Sequence, residues 1–138
     1  MMLVKEAKTK REILQAIFLR RKSLIYECKY SIIEEEPDIY DLISKVYVAK
    51  EGDNVIGTAR VRKEDNRFRI ERMAVDKKYR NKRVGSKIIK RILRDFNKKK
   101  IYLMSPKSTI PFYERFGFKK TNKIQKGKYH TYYRLQNF

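Results

Sequence analysis

Residues 80–86 have the composition of an anion-binding turn. They read Arg-Asn-Lys-Arg-Val-Gly-Ser, and they join a short apolar strand, Ile70 to Val75, to an amphipathic segment. The first backbone N–H groups of a helix have no partner within it, and the positive end of the helix dipole lies behind them. If the amphipathic segment is a helix, this turn is suited to bind phosphate, and its Lys and Arg side chains add positive charge. We expect the ligand to be a pyrophosphate.

This turn, which we call the phosphate turn, differs from both common phosphate-binding loops. Neither Gly-x-x-x-x-Gly-Lys-Ser/Thr nor Gly-x-Gly-x-x-Gly is present. The ligand therefore has to be identified from the rest of the chain.

Alternating and helical hydrophobic patterns predict the elements around the turn. A capping box from Thr9 to Glu12 begins a helix that runs to about Tyr26. From residue 45 the pattern is that of strands, with a hairpin turn at 51–54 and a strand from Arg67 to Val75.

The apolar spacing after Gly85 predicts a helix to about Asn97. The remaining predictions are a strand from 101 to 104, a short helix that is capped by Ser108 or Thr109 and contains Pro111 in its first turn, and strands at 118–121 and 129–135. Such an order is typical of an α/β or α+β sandwich.

Four segments, in this order along the chain, resemble the GNAT acetyltransferase superfamily. Residues 57–60 (Gly-Thr-Ala-Arg) and 70–75 (Ile-Glu-Arg-Met-Ala-Val) are similar to a branch of small stand-alone members. The phosphate turn resembles the family's acetyl-CoA loop, Gln/Arg-x-x-Gly-x-Gly/Ala, with Arg80 first and Gly85 last. Residues 112–118 (Phe-Tyr-Glu-Arg-Phe-Gly-Phe) resemble its second strong motif. The resemblance covers nearly the whole chain.

The resemblance implies one N-acetyltransferase domain over residues 1–138. Its fold would be a mixed, mostly antiparallel sheet of about six or seven strands flanked by about four helices. Two residues depart from the family pattern. Arg83 stands where a Gly is usual, and Pro106 stands near a position where many members carry an Asn or Gln that touches CoA.

The implied chemistry is acetyl transfer from acetyl-CoA, as co-substrate, to an amine, without a metal. Backbone amides on the strand before the phosphate turn would bind the thioester oxygen and the pantetheine arm, and the turn would anchor the phosphates. The residues implied to bind acetyl-CoA are Met73, Ala74, Val75, Arg80, Asn81, Lys82, Arg83, Val84, Gly85 and Ser86.

Two side chains are implied to be catalytic. Tyr113 matches the family's acid for the leaving thiolate, although a packing aromatic is the alternative. Glu71 is the first choice for the base, acting through a water. It could instead be a salt-bridged residue beside Arg69 or Arg72. His130, which we expect in the last strand, is the second choice.

The acceptor is not identified by the sequence. In the family, the first two helices and the last hairpin line the acceptor side, which here means about residues 20–41 and 122–133. An acidic cluster, Glu34 to Asp41, could attract a cationic amine or could be a solvated helix face. The formal net charge of +20 instead favours a neutral or anionic acceptor, or one attached to nucleic acid. Both small molecules and proteins remain open as amine acceptors.

The net charge also supports an alternative function. The protein could be a nucleic-acid-binding module on the same scaffold, with weak or lost catalysis, and non-specific nucleic-acid binding is possible in either case. The basic composition could equally reflect the host proteome or heat adaptation. An enzyme similar to acyl-homoserine lactone synthases is a third possibility, but those are longer and lack the Phe-Tyr-Glu motif.

Features that address localisation are few. The chain has no long apolar run and no signal-peptide pattern. Cys28 is its one cysteine, for which a bystander thiol is the simplest interpretation. We therefore expect a cytoplasmic protein, without a membrane span, that is a monomer or a homodimer.

Overall fold

One seven-stranded sheet organises the molecule. The computed structural model describes residues 2–27 and 37–138, except for the side chains of 25–27. Cys28 and Glu34 to Glu36 lie outside the described residues. The sheet order is β1-β2-β3-β4-β5-β7-β6, in which the β4–β5 pair is parallel and the other pairs are antiparallel. Its strands are β1 (Met2–Glu6), β2 (Lys45–Glu51), β3 (Asn54–Glu64), β4 (Arg67–Val75), β5 (Ile101–Pro106), β6 (Lys119–Lys126) and β7 (Thr131–Gln136).

Four α-helices flank this sheet in the described part of the chain, so the predicted fold class is confirmed. They are α1 (Lys10–Arg20), α2 (Tyr40–Ile43), α3 (Val84–Asp95) and α4 (Ile110–Glu114). The predicted capping box of α1 is present, because the Thr9 hydroxyl accepts from the Glu12 N–H at 3.1 Å and Glu12 accepts from the Thr9 N–H at 3.1 Å. The helix was predicted to reach Tyr26, but its α-helical part ends at Arg20. It continues as a π-helix over Arg21–Glu27.

The main core lies between the sheet and α3. Three isoleucines of α3, Ile88, Ile89 and Ile92, are completely buried, which matches their helical spacing. They pack against apolar residues of β2 to β5 and β7. This packing places the beginning of α3 beside the end of β4, the central strand of the sheet.

The opposite face of the sheet carries α1, α2 and a set of buried charges. Ala16 and Leu19 of α1 are buried against apolar residues of the strands. Arg20 and Arg60 are each only 1% exposed. Because a buried charge requires ionic partners, this face needs carboxylates near both arginines.

The last hairpin differs from its prediction. We predicted strands at 118–121 and 129–135, whereas β6 runs to Lys126 and β7 begins at Thr131. Most side chains of β6 are exposed, so no apolar pattern in the sequence marked the strand. The Gly127 N–H donates to the His130 carbonyl at 2.8 Å, which closes the turn between them. His130 therefore lies in this turn, and its predicted place in the last strand is wrong.

The cap predicted for the short helix is also absent. Neither Ser108 nor Thr109 caps α4 with its side chain. The Thr109 hydroxyl instead lies 2.7 Å from that of Ser105. Pro111 does lie in the first turn of α4, as predicted, because its missing N–H would have no helical partner there.

Candidate active site

The phosphate turn connects the end of β4 to the beginning of α3. The Arg80 Nε donates to the Val75 carbonyl at 3.1 Å, which ties the turn back to its strand. Asn81 (φ 62°) and Arg83 (φ 64°) both adopt left-handed backbone conformations. The chain thus reverses sharply, and the first N–H groups of α3 lie at the turn, where an anion can accept from them.

A cavity of about 810 Å³ lies against this turn and the first turns of α3. It has room for an extended ligand, and several of its lining side chains carry positive charge. The lining residues are Met73, Val75, Tyr79, Arg80, Asn81, Arg83, Val84, Gly85, Ser86, Lys90, Thr109, Phe112, Tyr113, Arg115 and Phe116. We call this space the large cavity.

The inner end of the large cavity is formed where β4 separates from β5. The two strands pair only from Phe68–Ile101 to Ile70–Leu103. Beyond that point β4 carries a bulge opposite Thr58 to Arg60, with Arg72 in a left-handed conformation (φ 56°). Among the described residues, no strand pairs with the β5-facing edge of β4 after this separation. Backbone amides of that edge can bind a ligand as an added strand would.

A second cavity, of about 330 Å³, opens on the other side of this separation. We call it the small cavity. The large and small cavities share Met73, Val75, Arg80, Thr109 and Tyr113. The other residues that line the small cavity are Ser23, Leu24, Arg69, Ile70, Glu71, Arg72, Ala74, Met104, Pro106, Gln125 and Tyr132.

Tyr113 lies at the junction of the two cavities. The residue is 8% exposed, and its ring packs edge-on against Phe112, at 4.9 Å between ring centroids, and against Phe118, at 6.3 Å. These contacts hold the ring in place beside both cavities, which Tyr113 lines. A phenol held in this way can donate a proton to an atom at the junction.

Glu71 lies in the small cavity among arginines. One oxygen of its carboxylate, Oε2, accepts from two nitrogens of Arg60, with Nε at 2.7 Å, and the carboxylate is also contacted by Arg62 at 3.3 Å and Arg69 at 3.2 Å. The side chain is 7% exposed. Glu71 is therefore salt-bridged, which was the alternative to its role as a base. A water that accepted a proton on its behalf would have to share this carboxylate with three guanidinium groups.

The acidic cluster is occupied by arginines where the structure describes it. Asp41 accepts from Arg20 at 2.6 Å and from Arg60 at 2.9 Å, and Asp38 accepts from Arg60 at 2.8 Å. Burial raises the pKa of Asp41, but the hydrogen bonds from Arg20 and from the Asp38 N–H outweigh it and lower that pKa to about 2. These two carboxylates hold α2 against β3.

The structure brings most predicted residues together around the two cavities. Glu71 and Ala74 line the small cavity; Asn81, Arg83, Val84, Gly85 and Ser86 line the large one; Met73, Val75, Arg80 and Tyr113 line both. Lys82 is exposed, with its ammonium 5.6 Å from the Tyr79 ring centre, and it lines neither cavity.

Sequence reasoning missed several lining residues. Ser23 and Arg72 reach the small cavity through the π-helix and the β4 bulge, neither of which has a sequence pattern. Phe112 and Phe116 of the large cavity could have been found, since they belong to the motif that contains Tyr113.

Two general properties concern the described residues as a whole. No described helix is both long enough and apolar enough to cross a membrane. Within residues 2–27 and 37–138, no group of three or more His, Cys, Asp or Glu side chains is arranged to hold a metal ion.

Solved structures share this fold over almost their whole length. Escherichia coli ElaA has a TM-score of 0.87 at 18% identity, with 100% of both chains covered. An acyl-CoA N-acyltransferase from Pseudomonas aeruginosa has a TM-score of 0.82 at 16% identity, covering 100% of this chain and 99% of that one. A GNAT family acetyltransferase from Elizabethkingia anophelis with acetyl-CoA bound has a TM-score of 0.73 at 15% identity, covering 98% and 96%.

The sequence itself identifies the family. No curated protein matches the chain at a significant level. A sequence model described as an acetyltransferase (GNAT) domain matches residues 43–120, which span β2 to the first residues of β6. Because this match covers more than half of the chain and includes the phosphate turn and Tyr113, the protein belongs to the GNAT family of acetyltransferases.

Proposed function

We propose that this enzyme transfers the acetyl group of acetyl-CoA to an amine by direct attack in a ternary complex. The observation that carries the proposal is the pair of cavities that meet at Met73, Val75 and Tyr113. One cavity can hold the cofactor and the other the acceptor. The reacting atoms would then meet without a covalent enzyme intermediate.

The large cavity fits the parts of acetyl-CoA. The N–H groups at the beginning of α3, with Arg80 and Arg83 beside them, would hold the pyrophosphate. The unpaired edge of β4 at Met73 to Val75 would pair with the pantetheine amides. It also offers a backbone N–H to the thioester oxygen, a donor that contributes about 3 kcal/mol in comparable sites.

The remaining groups would manage the protons. The acceptor nitrogen forms a C–N bond with the acetyl carbon as the C–S bond breaks. Tyr113 donates a proton to the leaving sulfur. An ammonium acceptor loses two protons in all, one of them before the attack. The overall reaction therefore converts acetyl-CoA and an ammonium to an amide, CoA and one released proton. Glu71, through a water, is our proposed route for the proton that leaves before attack, although it shares its carboxylate with Arg60, Arg62 and Arg69.

Gly85 offers a direct test of the cofactor site. A Cβ at Gly85 would lie 3.4 Å from Phe112 Cζ and 3.8 Å from Val75 Cγ2, so an indole there would fill the space beside the start of α3. We expect Gly85→Trp to abolish acetyl-CoA binding measured by calorimetry. Gly85→Ala, whose methyl group fits, is the matched control and should bind normally. Equal binding by both variants would exclude this site.

Tyr113→Phe tests the proposed acid. The ring contacts with Phe112 and Phe118 remain, so acetyl-CoA affinity should be unchanged, while kcat should fall by roughly a hundredfold or more. The control is Tyr129→Phe, in the exposed turn of the last hairpin. An unchanged kcat in Tyr113→Phe would assign this ring to packing alone.

A further inference from the structure

Arg134 of β7 is a buried cation that pairs with no carboxylate in the described part of the chain. The residue is only 8% exposed, and its Nε is buried without a hydrogen-bond partner there. Buried charges in proteins are normally paired with an opposite charge and hydrogen-bonded, because their desolvation is costly. The environment of Arg134 is therefore unusual for a residue that serves the fold alone.

Other buried arginines differ from Arg134 in this respect. The Nε atoms of four more arginines are buried without a hydrogen-bond partner, but each of these side chains contacts a carboxylate. They are Arg20 with Asp41, Arg62 with Glu64, Arg69 with Glu71, and Arg72 with Asp38. An unpaired Nε is thus common in this protein, whereas Arg134 combines it with the absence of any carboxylate contact among the described residues.

The guanidinium of Arg134 lies over an aromatic ring instead. Its Cζ is 4.3 Å from the centroid of the Tyr102 ring. The electron-rich face of a ring attracts a cation, but the ring carries no net charge and does not neutralise the arginine. The stacking therefore fixes the orientation of the guanidinium while its positive charge remains uncompensated.

Two arginines of β4 lie close to the same ring. The Cζ atoms of Arg67 and Arg69 are 5.1 Å and 5.8 Å from the centroid of Tyr102. Strand order explains this arrangement, because β5 lies between β4 and β7. Arg69 is the register partner of Tyr102, and Arg134 is the partner of Met104, two residues further along β5. The ring thus has arginines on both neighbouring strands.

These side chains share the face of the sheet opposite α3. The next residues along the three strands, Ile70, Leu103 and Leu135, belong to the main core beneath α3. Because successive side chains of a strand alternate between faces, the residues before them point away from α3. We call this group the arginine cluster, and it consists of Arg67, Arg69, Tyr102 and Arg134.

The acids beside the arginine cluster already have other partners. One oxygen of Glu64 accepts from the Tyr102 hydroxyl at 2.5 Å, and the other contacts Arg62 at 3.1 Å. Glu71 contacts Arg69 at 3.2 Å and shares its carboxylate with two further arginines. Within the described residues, neither acid pairs with the other two arginines of the cluster.

We propose that the arginine cluster binds a phosphate monoester. Arg67 and Arg134 contact no carboxylate in the described chain, and a monoester carries nearly two negative charges above about pH 7, so one group neutralises both. A carboxylate or a phosphodiester supplies a single charge. Phosphate oxygens match the fork of a guanidinium, including a buried Nε. Because Arg67 is only partly buried, the ligand can reach the cluster from solvent.

This site is separate from the phosphate turn. Arg67, Tyr102 and Arg134 line neither the large nor the small cavity, and they lie on the other face of the sheet from α3. Arg69 also lines the small cavity, so the arginine cluster borders the space that we assign to the acceptor. The inference itself does not depend on acetyl transfer.

A titration followed by the NMR shifts of backbone amides tests the inference. The probes are methyl phosphate, a dianion, and two monoanions, dimethyl phosphate and acetate, all above about pH 7. Methyl phosphate should produce saturable shifts at residues 67–69, 101–103 and 133–135, with an affinity at least about tenfold higher than that of either monoanion. The same spectra report binding at the phosphate turn through residues 81–86. Shifts confined to the turn, or equal affinities of the three probes at the cluster, would overturn the proposal, and the proposed function would be unaffected.

Variants locate the ligand at the arginine cluster. Arg134→Gln and Arg67→Gln should each weaken methyl phosphate binding there at least about tenfold and leave the shifts at 81–86 unchanged. Arg134→Lys, which keeps the charge but not the fork, should be intermediate. The matched control is Arg94→Gln, which removes an arginine of α3 that is 72% exposed and should bind as wild type.

The two positions also protect the test against a folding defect. Arg67 is only partly buried, so Arg67→Gln decides the question if Arg134→Gln does not fold. Unchanged affinity in either folded variant, or an equal loss in Arg94→Gln, would show that the overall charge attracts the phosphate and would overturn the assignment.

Discussion

Arg83 occupies a backbone conformation that L-amino acids rarely adopt. It is the residue before the first turn of α3, with φ 64° and ψ 21°, and its side chain forms no cap. This is the position at which the family motif usually has Gly. The left-handed conformation costs a residue with a Cβ about 1–2 kcal/mol relative to Gly. The backbone at Arg83 is therefore strained, and its side chain adds a positive charge to the lining of the large cavity.

A pair of substitutions at Arg83 separates strain from charge. Arg83→Gly should raise the free energy of unfolding by about 1 kcal/mol, after the entropy of Gly in the unfolded chain is subtracted. Arg83→Ala should give no such gain, because the strain remains. Both should weaken acetyl-CoA binding to a similar extent, since both remove the same charge. Urea unfolding and calorimetry give the two quantities, and equal stabilisation by Gly and Ala would point to relieved charge repulsion instead.

The contact of α3 with β3 depends on the absence of a side chain at Gly57. A Cβ at Gly57 would lie 2.6 Å from Val84 Cγ1 and 3.0 Å from Ile88 Cδ1. Val84 is the first residue of α3 and has a stiff, branched side chain. The Gly in the 57–60 segment therefore has a structural reason, because it lets the start of α3, and with it the phosphate turn, approach the sheet.

A double-mutant cycle tests this packing. Gly57→Ala should destabilise the protein by about 1–3 kcal/mol, because the methyl group displaces α3. Adding Val84→Ala, which removes the obstructing methyl groups, should recover part of that loss and give a coupling energy of about 1 kcal/mol or more. Gly85→Ala is the control, since its Cβ meets no atom closer than 3.4 Å. Additive effects of Gly57→Ala and Val84→Ala would mean that the two groups do not interact.

Elements with a local pattern were predicted well, and those without one were not. The stripe of α3 and the capping box of α1 depend on residues within a few positions of one another, and both were read from the sequence. The strand predicted at 118–121 is the beginning of β6, but β6 has almost no buried residues, so the sequence held no period that showed its continuation to Lys126 or the turn that contains His130. The bulge that orients Arg72 is likewise a matter of pairing between β3 and β4.

At the scale of the molecule, the scarce carboxylates act as internal counter-ions. The chain has 16 acidic residues against 36 basic ones. Asp41 between Arg20 and Arg60 is an example, and Glu12 is another: its pKa is lowered well below its usual range by hydrogen bonds from the Lys8 N–H and from Lys5. Stability should therefore depend on keeping these groups ionised.

The pKa of Asp41 predicts the direction and the size of the change in unfolding free energy with pH. Its pKa is lower in the folded protein, at about 2, than in the unfolded chain, so its stabilisation is present above the unfolded value and is lost as the pH falls. The loss should reach about 2 kcal/mol between about pH 5 and about pH 2. We expect Asp41→Asn to destabilise the protein at neutral pH by about 3–5 kcal/mol, because it leaves Arg20 and Arg60 short of a charge.

Chemical denaturation across this pH range measures the effect. The difference in unfolding free energy between wild type and Asp41→Asn should shrink on acidification. Asp53→Asn, in an exposed turn, is the matched control and should remain parallel to wild type. A constant difference between wild type and Asp41→Asn would show that Asp41 stabilises the fold by its shape and not by its charge.

The amino-acid sequence by itself determined the family, the mixed sheet and the phosphate turn, because each rests on neighbouring residues or on short ordered motifs. The tertiary structure alone decided how the charges combine. In the folded protein the carboxylates of Glu71 and Asp41 pair with buried arginines, and Arg69 and Arg72 both line the small cavity. Those outcomes depend on strand register, on one bulge and on burial, which act between residues distant in the chain and leave no mark in its local pattern.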